Sequence, residues 1–206
     1  MRQIEFHQVK HNYHFDDLTD LYKRVFSEPP YNENFSTKEA QEALDVCIKK
    51  GVLIIAYFHT VETHEDEIVG FLGATHGLVD VNDKIKEQLK SCGINVRNDI
   101  YVSEIAFDAK HRHCGYGRKI MERLHDMFPS SNFFLRTGAH DNDRVINFYK
   151  KLGYMTCMTK DFVENTRVDG TVDVDERLHM YKIAENDGHQ SGAEYTYGYD
   201  SDGSGY

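Results

Sequence analysis

One stretch of the chain combines glycines and basic residues at a spacing that suits the binding of an anion. It reads Arg112-His113-Cys114-Gly115-Tyr116-Gly117-Arg118 and lies between an apolar, strand-like run and a predicted helix. Glycines have no Cβ, so charged oxygens can approach the backbone, and the first N–H groups of a helix are free to bind them. The positive end of the helix dipole adds to the charges of Arg112 and Arg118, which favours a pyrophosphate. A tight strand-to-helix turn without a ligand is the alternative interpretation.

Two common phosphate motifs do not fit this stretch. A dinucleotide-binding fingerprint requires a third small residue where this chain has Ile120, and a P-loop requires a Gly-Lys-Ser/Thr sequence that the chain lacks. The stretch therefore needs a different explanation.

A single carboxylate interrupts the strand that precedes the glycines. The run Tyr101-Val102-Ser103-Glu104-Ile105-Ala106-Phe107 is otherwise apolar, and a wholly buried strand does not carry a charge without a reason. Glu104 is therefore a candidate functional residue. The alternative is a carboxylate that faces solvent or an arginine on the opposite face of the strand, and the sequence leaves both interpretations open.

A second motif follows about thirty residues after Arg112. It reads Asn142-Asp143-Arg144-Val145-Ile146-Asn147-Phe148-Tyr149-Lys150-Lys151-Leu152-Gly153-Tyr154. In this order and separation the two motifs resemble those of the GNAT superfamily of N-acetyltransferases: Arg/Gln-x-x-Gly-x-Gly/Ala, then a helix that begins with Asn and ends in Phe-Tyr-x-x-Leu-Gly-aromatic. The resemblance covers Tyr101 to Cys157, and by element order it extends from the N-terminus to Ile183.

The resemblance implies acetyl-CoA as cosubstrate and direct transfer of the acetyl group to an amine. The backbone of Ile105, Ala106 and Phe107 is then expected to bind the pantetheine arm and the acetyl end. The segment from Arg112 through His113, Cys114, Gly115, Tyr116 and Gly117 to Arg118 is expected to bind the pyrophosphate, and Asn142 to contact the CoA arm. No bound metal ion is expected, because the pairs His11/His14 and His111/His113 lack further ligands at suitable spacing.

The same resemblance assigns the proton transfers. Tyr149 matches the family's tyrosine acid, whose phenol protonates the departing thiolate, although a core aromatic on a helix is the alternative. Some family members place a catalytic glutamate where this chain has Glu104, and others place it on the fifth strand, where this chain has Thr137. Glu28, Tyr31 and Glu33, in a loop with two prolines, are expected to contact the acceptor.

The elements that position these residues are predicted from the spacing of apolar residues and from the residues that cap helices and form turns. Apolar spacing predicts helices over 15–26 and from Ser36, which opens a capping box with Glu39, to Gly51. Runs at 52–58 and 68–74 predict a hairpin, and the segment 77–99 is an insertion relative to the family with a short helix. We predict an α+β (mixed α/β) GNAT-like single domain with a twisted, mixed but mostly antiparallel sheet of six to seven strands, about four helices, and parallel strands that splay apart at the CoA site.

Composition places limits on the function. The chain has 206 residues, which suits one domain over 1–183, followed by an acidic Gly/Ser/Tyr tail over 184–206 that we predict to be disordered. The net charge of −10 argues against nucleic-acid binding. No apolar run reaches the length of a membrane span, so a cytoplasmic protein without membrane association is expected, with four reduced cysteines.

The sequence therefore predicts an acetyl-CoA-dependent N-acetyltransferase that acts on a primary amine of a small molecule, peptide or protein. A homodimer is possible, since many relatives dimerise. The competing hypothesis is a catalytically silent CoA-binding module that recruits a protein partner through its tail or through the 77–99 insertion.

Overall fold

The computed structural model describes residues 3–10, 15–29, 31–60, 65–78, 83–138 and 143–184. This part of the chain forms seven strands and five α-helices. In chain order they are β1 Gln3–Gln8, α1 Phe15–Ser27, α2 Thr37–Lys50, β2 Gly51–Thr60, β3 Glu65–His76, α3 Asp83–Ser91, β4 Ile100–Phe107, α4 Tyr116–Met127, β5 Phe133–Gly138, α5 Asp143–Lys151, β6 Met155–Thr166 and β7 Val172–Lys182. The predicted fold class is confirmed, with five helices in place of about four, because the insertion contributes α3.

The strands form one sheet in the order β1-β2-β3-β4-β5-β7-β6. All neighbouring pairs are antiparallel except β4 and β5. These two parallel strands pair over only three residues each, Ile100–Val102 with Phe133–Leu135. Beyond that point they separate, which is the predicted opening at the centre of the sheet.

Helices cover both faces of the sheet. On one face α4 packs through Ile120, Met121 and Leu124 against a core that includes Val102 and Leu135. On the other face α1 and α2 pack against β2 and β3, and α3 packs against Tyr101 and Phe134 of the central strands. Burial of this apolar surface is the main source of the fold's stability.

Local signals account for several boundaries. Ser36 caps α2 as predicted: its hydroxyl accepts from the Glu39 N–H at 3.2 Å, and the Glu39 carboxylate accepts from the Ser36 N–H at 2.8 Å. The turn between β6 and β7 lies at 168–170, with Gly170 at φ +83°. The predicted acidic tail lies outside the described residues, except for Ala184.

Candidate active site

A β-bulge in β4 turns Glu104 towards α1. Gly73 of β3 pairs with Glu104 and Ala74 pairs with Val102, so Ser103 is an extra residue in β4. Ser103 and Glu104 consequently both face α1 and α2: the Ser103 hydroxyl lies 3.4 Å from Cys47 Sγ in α2, and Glu104 contacts Tyr22 in α1. A bulge of this kind commonly redirects side chains beside active sites.

Glu104 lies in an environment that disfavours its charge. Its Oε1 accepts a hydrogen bond of 3.3 Å from the hydroxyl of Tyr22, a residue that is only 1% exposed. Burial, followed by the nearby Glu33 carboxylate, raises the pKa of Glu104 to about 7, although Tyr22, Arg136 and Arg177 act in the opposite direction. A carboxyl with a pKa near neutrality can take a proton and release it again under ordinary conditions.

Tyr149, from α5, lines the same cavity as Glu104. It is 6% exposed, and its ring packs against Phe148 and Tyr154 at centroid distances of 5.0 and 5.7 Å. Burial first, and then Tyr31 and Glu104, raise the pKa of Tyr149 above its ordinary value. The phenol therefore keeps its proton at neutral pH. Tyr149 is thus a core aromatic that also forms part of the cavity wall, and its role as the acid stays a prediction.

The cavity that holds these two groups has a volume of about 630 Å³. Its floor is formed by β4 and β5 where they separate, and one wall by α5. The opposite wall is formed by α1 and by the α1–α2 loop, which we define as residues 28–36. Aromatic side chains dominate that wall, and charged side chains come from β5 and β7. The aromatic residues are Tyr22, Phe26, Tyr31 and Phe35, and the cationic ones on the strands are Arg136 and Arg177.

A group of hydrogen bonds and ion pairs, which we call the roof, joins the α1–α2 loop to the β6–β7 hairpin. The backbone N–H of Asn34 donates to Thr166 O at 2.8 Å, and the N–H of Val168 donates to Asn32 O at 2.9 Å. Arg167 Nη1 also donates to Tyr31 O at 2.7 Å. Ion pairs continue the roof along β7. They link Glu33 to Arg177 at 3.1 Å, Arg177 to Asp175 at 3.1 Å, and Asp175 to Arg167 at 2.6 Å.

The three predicted acceptor residues are only partly brought together. Tyr31 and Glu33 line the cavity, and Glu33 is 7% exposed. Burial raises the pKa of Glu33 against the opposing effect of Arg177. Glu28 is not among the lining residues, and its Oε2 instead accepts from Arg112 Nη2 at 3.1 Å.

The glycine stretch forms the expected turn into α4. His113 and Gly115 have positive φ angles of 62° and 81°, and Gly115 precedes α4 without any side-chain cap on its first N–H groups. Nothing lies within 4 Å of where a Cβ of Gly115 would stand, and a Cβ on Gly117 would only touch the ring of Phe148, at 3.5 Å. An open space in front of uncapped N–H groups fits a pyrophosphate. Cys114 is exposed, and Tyr116 packs beside Phe107.

The arginines of this stretch have partners of their own. Arg112 Nε donates to Phe107 O at 2.9 Å, and its guanidinium also contacts Pro29 O and Glu28 of the α1–α2 loop. Arg118 Nε donates to Glu122 at 2.7 Å on the surface of α4. The backbone of the stretch is therefore the part best placed for an anion. Ile105, Ala106 and Phe107 form the end of β4 beyond its pairing with β5, and Asn142 lies outside the described residues.

Sequence reasoning missed Tyr22, Arg136 and Arg177. Tyr22 fits the apolar stripe of α1, and its contact with Glu104 spans 82 residues, so no local pattern indicates it. Arg136 Nη1 donates to Asp161 Oδ2 at 3.2 Å and so connects β5 to β6. In the sequence, the only indication of Arg136 was that it follows the buried Leu135 and therefore points to the opposite face of the strand.

Comparisons with known proteins identify the family to which the chain belongs. The sequence profile described as the Acetyltransferase (GNAT) family matches residues 15–154. The chain therefore belongs to the GNAT acetyltransferase family. A comparison with curated protein sequences gave no significant match.

Solved structures share the fold at low sequence identity. PH1933 from Pyrococcus horikoshii is 19% identical with a TM-score of 0.60, over 89% of this chain and 99% of that one. Arabidopsis thaliana NAA60 in complex with acetyl-CoA is 16% identical with a TM-score of 0.59, over 88% and 99%. The ribosomal-protein-S18-alanine N-acetyltransferase from Escherichia coli is 16% identical with a TM-score of 0.54, over 91% and 100%. Within the described residues, no helix is long and apolar enough to cross a membrane, and no group of three potential metal ligands occurs.

Proposed function

We propose that this protein transfers an acetyl group from acetyl-CoA directly to a primary amine. The observation that carries the proposal is that Glu104 and Tyr149 line one cavity at the place where β4 and β5 separate. The first has the chemistry of a base and the second that of an acid. Acetyl-CoA supplies the activated thioester when bound, and the backbone between Arg112 and Gly117 would hold its pyrophosphate.

Glu104 acts as the general base. An amine in the cavity is mostly protonated near neutral pH and must lose a proton before it can attack. With its pKa raised to about 7, the Glu104 carboxylate accepts that proton, directly or through one water molecule. The amine nitrogen then forms a bond to the thioester carbonyl carbon, and the carbon–sulfur bond breaks.

Tyr149 acts as the general acid. The electron pair of the broken bond goes to the CoA sulfur, and the phenol of Tyr149 donates its proton to that thiolate. The second proton that the new amide nitrogen must lose passes through water to the Tyr149 phenolate, and Glu104 releases the first proton to solvent. Burial keeps this phenol protonated until the step occurs. Backbone N–H groups of Ile105 to Phe107 that β5 does not pair are suited to bind the developing oxyanion.

We also propose the finer features of this activity. Residues 1–183 carry it, Tyr31 and Glu33 contact the acceptor, and the reaction takes place in the cytoplasm. Glu28 is proposed to act at a distance, by holding Arg112 and with it the turn into α4.

The test is thiol release from acetyl-CoA in the presence of a panel of small amines, aminoglycosides and peptides. Tyr149→Phe is expected to lower kcat by roughly 100-fold or more, with little change in the KM for acetyl-CoA, because it removes only the proton donor. Tyr154→Phe is the matched control. It removes another buried hydroxyl, one that bonds to His125 at 3.1 Å and does not line the cavity.

Equal rates in the wild type and Tyr149→Phe would contradict the acid assignment. No release with any acceptor, while CoA still raises the Tm, would instead favour a CoA-binding module that recruits a partner.

A further inference from the structure

The cavity that holds Glu104 continues into a second one. This second cavity has a volume of about 380 Å³ and lies between α2 and the paired strands β3 and β4. The two cavities share Ala43, Leu78, Tyr101, Ser103 and Glu104 as lining residues. A molecule with its amine at Glu104 can therefore extend into the second cavity. We call it the side cavity.

The polar groups on the floor of the side cavity already have partners. The Thr75 hydroxyl donates to Gly77 O at 2.8 Å, and the Ser103 hydroxyl donates to Gly73 O at 3.1 Å. Burial raises the pKa of Cys47 to about 11, so its thiol stays neutral. A polar ligand group would find few free hydrogen-bonding groups on this floor, and so would lose its hydration without compensation.

The walls of the side cavity are mostly apolar, although His76 and Tyr101 also line it. Ala43, Cys47 and Leu78 line it, and Val46 is 42% exposed at its rim. Val46 lies between the exposed residues Glu42 and Lys50 on one stripe of α2. The charged side chains thus flank the opening, while hydrocarbon covers the interior.

The insertion supplies one of these walls. Leu78 begins the 77–99 segment, and its backbone N–H donates to Val96 O at 2.8 Å. Gly77 has a φ of +74°, and a Cβ there would lie 2.5 Å from Arg97 O. The start of the insertion is thereby held against its end, which fixes Leu78 at the cavity.

From this geometry we propose that the side cavity binds an apolar arm of the acceptor. The acceptor is then a primary amine with an alkyl or aromatic substituent, the amine at Glu104 and the substituent between α2 and β4. This inference rests on the proposed acetyl transfer and adds the class of acceptor to it.

The experiment compares ethylamine, hexylamine and 1,6-diaminohexane as acceptors. Each methylene group that enters an apolar site should raise kcat/KM by roughly fourfold, so hexylamine, with its longer chain, is expected to exceed ethylamine by up to about 250-fold. The diamine has the same length but a charged end, and it should be no better than ethylamine. Peptides that begin with Phe or with Ser distinguish a peptide source of the apolar arm from a small amine.

Val46→Glu places a carboxylate at the rim of the side cavity. It should abolish the preference for hexylamine over ethylamine. Val172→Glu is the matched control, because Val172 is 66% exposed and lines neither cavity. Hexylamine no better than ethylamine, or a preference that survives Val46→Glu, would overturn the proposal.

The two proposals fail in different ways. If ethylamine is acetylated but hexylamine has no advantage, the proposed acetyl transfer is supported and the proposed binding of an apolar arm in the side cavity is contradicted. If no amine is acetylated, calorimetric titration of the CoA-bound protein with the same amines tests the side cavity by itself, and equal affinities would refute it.

A second, independent observation concerns two cysteines that the sequence separates by 65 positions. Cys92 Sγ and Cys157 Sγ lie 3.0 Å apart. Cys92 follows α3 and is partly exposed, whereas Cys157, in β6, is 3% exposed. Cys157 lies where the pairing of β6 with β7 shifts register, between Thr156 and Lys160.

We infer that Cys92 and Cys157 are a site of reversible disulfide formation. A small-molecule disulfide such as oxidised glutathione is the oxidant. The accessible Cys92 displaces one glutathione thiol and forms a mixed disulfide. Cys157 then displaces the second glutathione thiol, so that two S–H bonds are lost and one S–S bond ties α3 to β6. Because burial raises the pKa of Cys92 to about 11, the reaction is slow at neutral pH.

The test is mass spectrometry after exposure to oxidised glutathione, in a Cys114→Ser background that removes the exposed thiol. We expect a loss of two hydrogen atoms, a cross-linked peptide pair and a higher Tm, all abolished in Cys157→Ala. In that variant a stable glutathione adduct should remain on Cys92. The same adduct in the parent protein, or no reaction at Cys92, would overturn the inference.

Discussion

The carboxyl of Glu104 is useful for chemistry and unfavourable for stability. Its pKa lies at about 7 in the folded protein against an ordinary 4.5. Between these values the unfolded chain has released the proton and the folded one has not, so stability falls as pH rises through this range. The shift corresponds to at most about 3 kcal/mol of unfolding free energy above pH 7. The site therefore accepts a buried charge so that a base is available near neutral pH.

Glu104→Gln separates these two effects. The amide retains an acceptor for the Tyr22 hydroxyl but cannot take a proton, so kcat/KM at pH 8 is expected to fall by roughly 100-fold. The unfolding free energy should rise at pH 8 and change little at pH 5, where Glu104 is already neutral. Rates with a fixed acceptor and urea unfolding at both pH values provide the measurement. A variant that is less stable at pH 8 would show that the carboxylate is stabilising.

At the scale of elements, α4 and the turn before it form the anion site through backbone rather than side chains. Gly117 lies in the first turn of α4, where a side chain would contact only Phe148. A negative charge in the first turn of a helix is favourable in the absence of a ligand. The same charge would repel a pyrophosphate.

Gly117→Glu is therefore expected to have opposite effects on the two forms of the protein. The free protein should keep its Tm or gain slightly, while CoA binding measured by calorimetry is lost. Gly117→Gln is the control of equal size without charge, and it should bind CoA more weakly than wild type but better than Gly117→Glu. Retained CoA affinity in Gly117→Glu would place the pyrophosphate elsewhere.

The roof over the acceptor cavity supports a second prediction at this scale. Arg167→Ala removes the contacts with Tyr31 O and Asp175. We expect acceptor kcat/KM to fall by about tenfold with an unchanged KM for acetyl-CoA, because only the acceptor side loses its geometry. Lys49→Ala, which removes an exposed ion pair with Asp45, is the control. An equal loss for both substrates would assign Arg167 to general stability.

Local sequence patterns were sufficient to predict most helices and strands. The remaining features depend on contacts between residues that lie far apart in the sequence. The capping box at Ser36 and the apolar stripe of α4 are visible in the sequence because each depends on residues within a few positions. The bulge at Ser103 is not, because it exists only relative to the register of β3. The sequence likewise could not show that Arg112 would bond to Glu28, or that Cys92 would meet Cys157, since those contacts depend on how separate elements pack.

For the whole molecule, two histidines set the response to acid. Burial lowers the pKa of both His125 and His179 to about 4 from 6.5. Between pH 4 and pH 6.5 both histidines are protonated in the unfolded chain and neutral in the folded one. The free energy of unfolding therefore falls as pH falls through this range. Glu104 and Glu33, whose pKa values burial raises, act in the opposite direction.

Because His179 is fully buried, its contribution to the unfolding free energy is expected to decrease by about 2 kcal/mol between pH 6.5 and pH 4.5. His179→Leu should reduce the slope over this range, because His179 is fully buried and contributes one of the two protons. Urea titrations at four pH values would measure it. An unaltered slope in the variant would mean that His179 is protonated in the folded protein.

The short pairing of β4 with β5 divides the sheet into two parts. One part contains β1 to β4 and the other contains β5 to β7, and within the described residues three residue pairs connect them. A ligand bound between these two strands would connect the two parts of the sheet, because it offers hydrogen-bonding groups to both sides at once. Amide hydrogens of Ile105 to Phe107 that face the gap should then exchange with solvent quickly in the free protein and slowly with CoA bound.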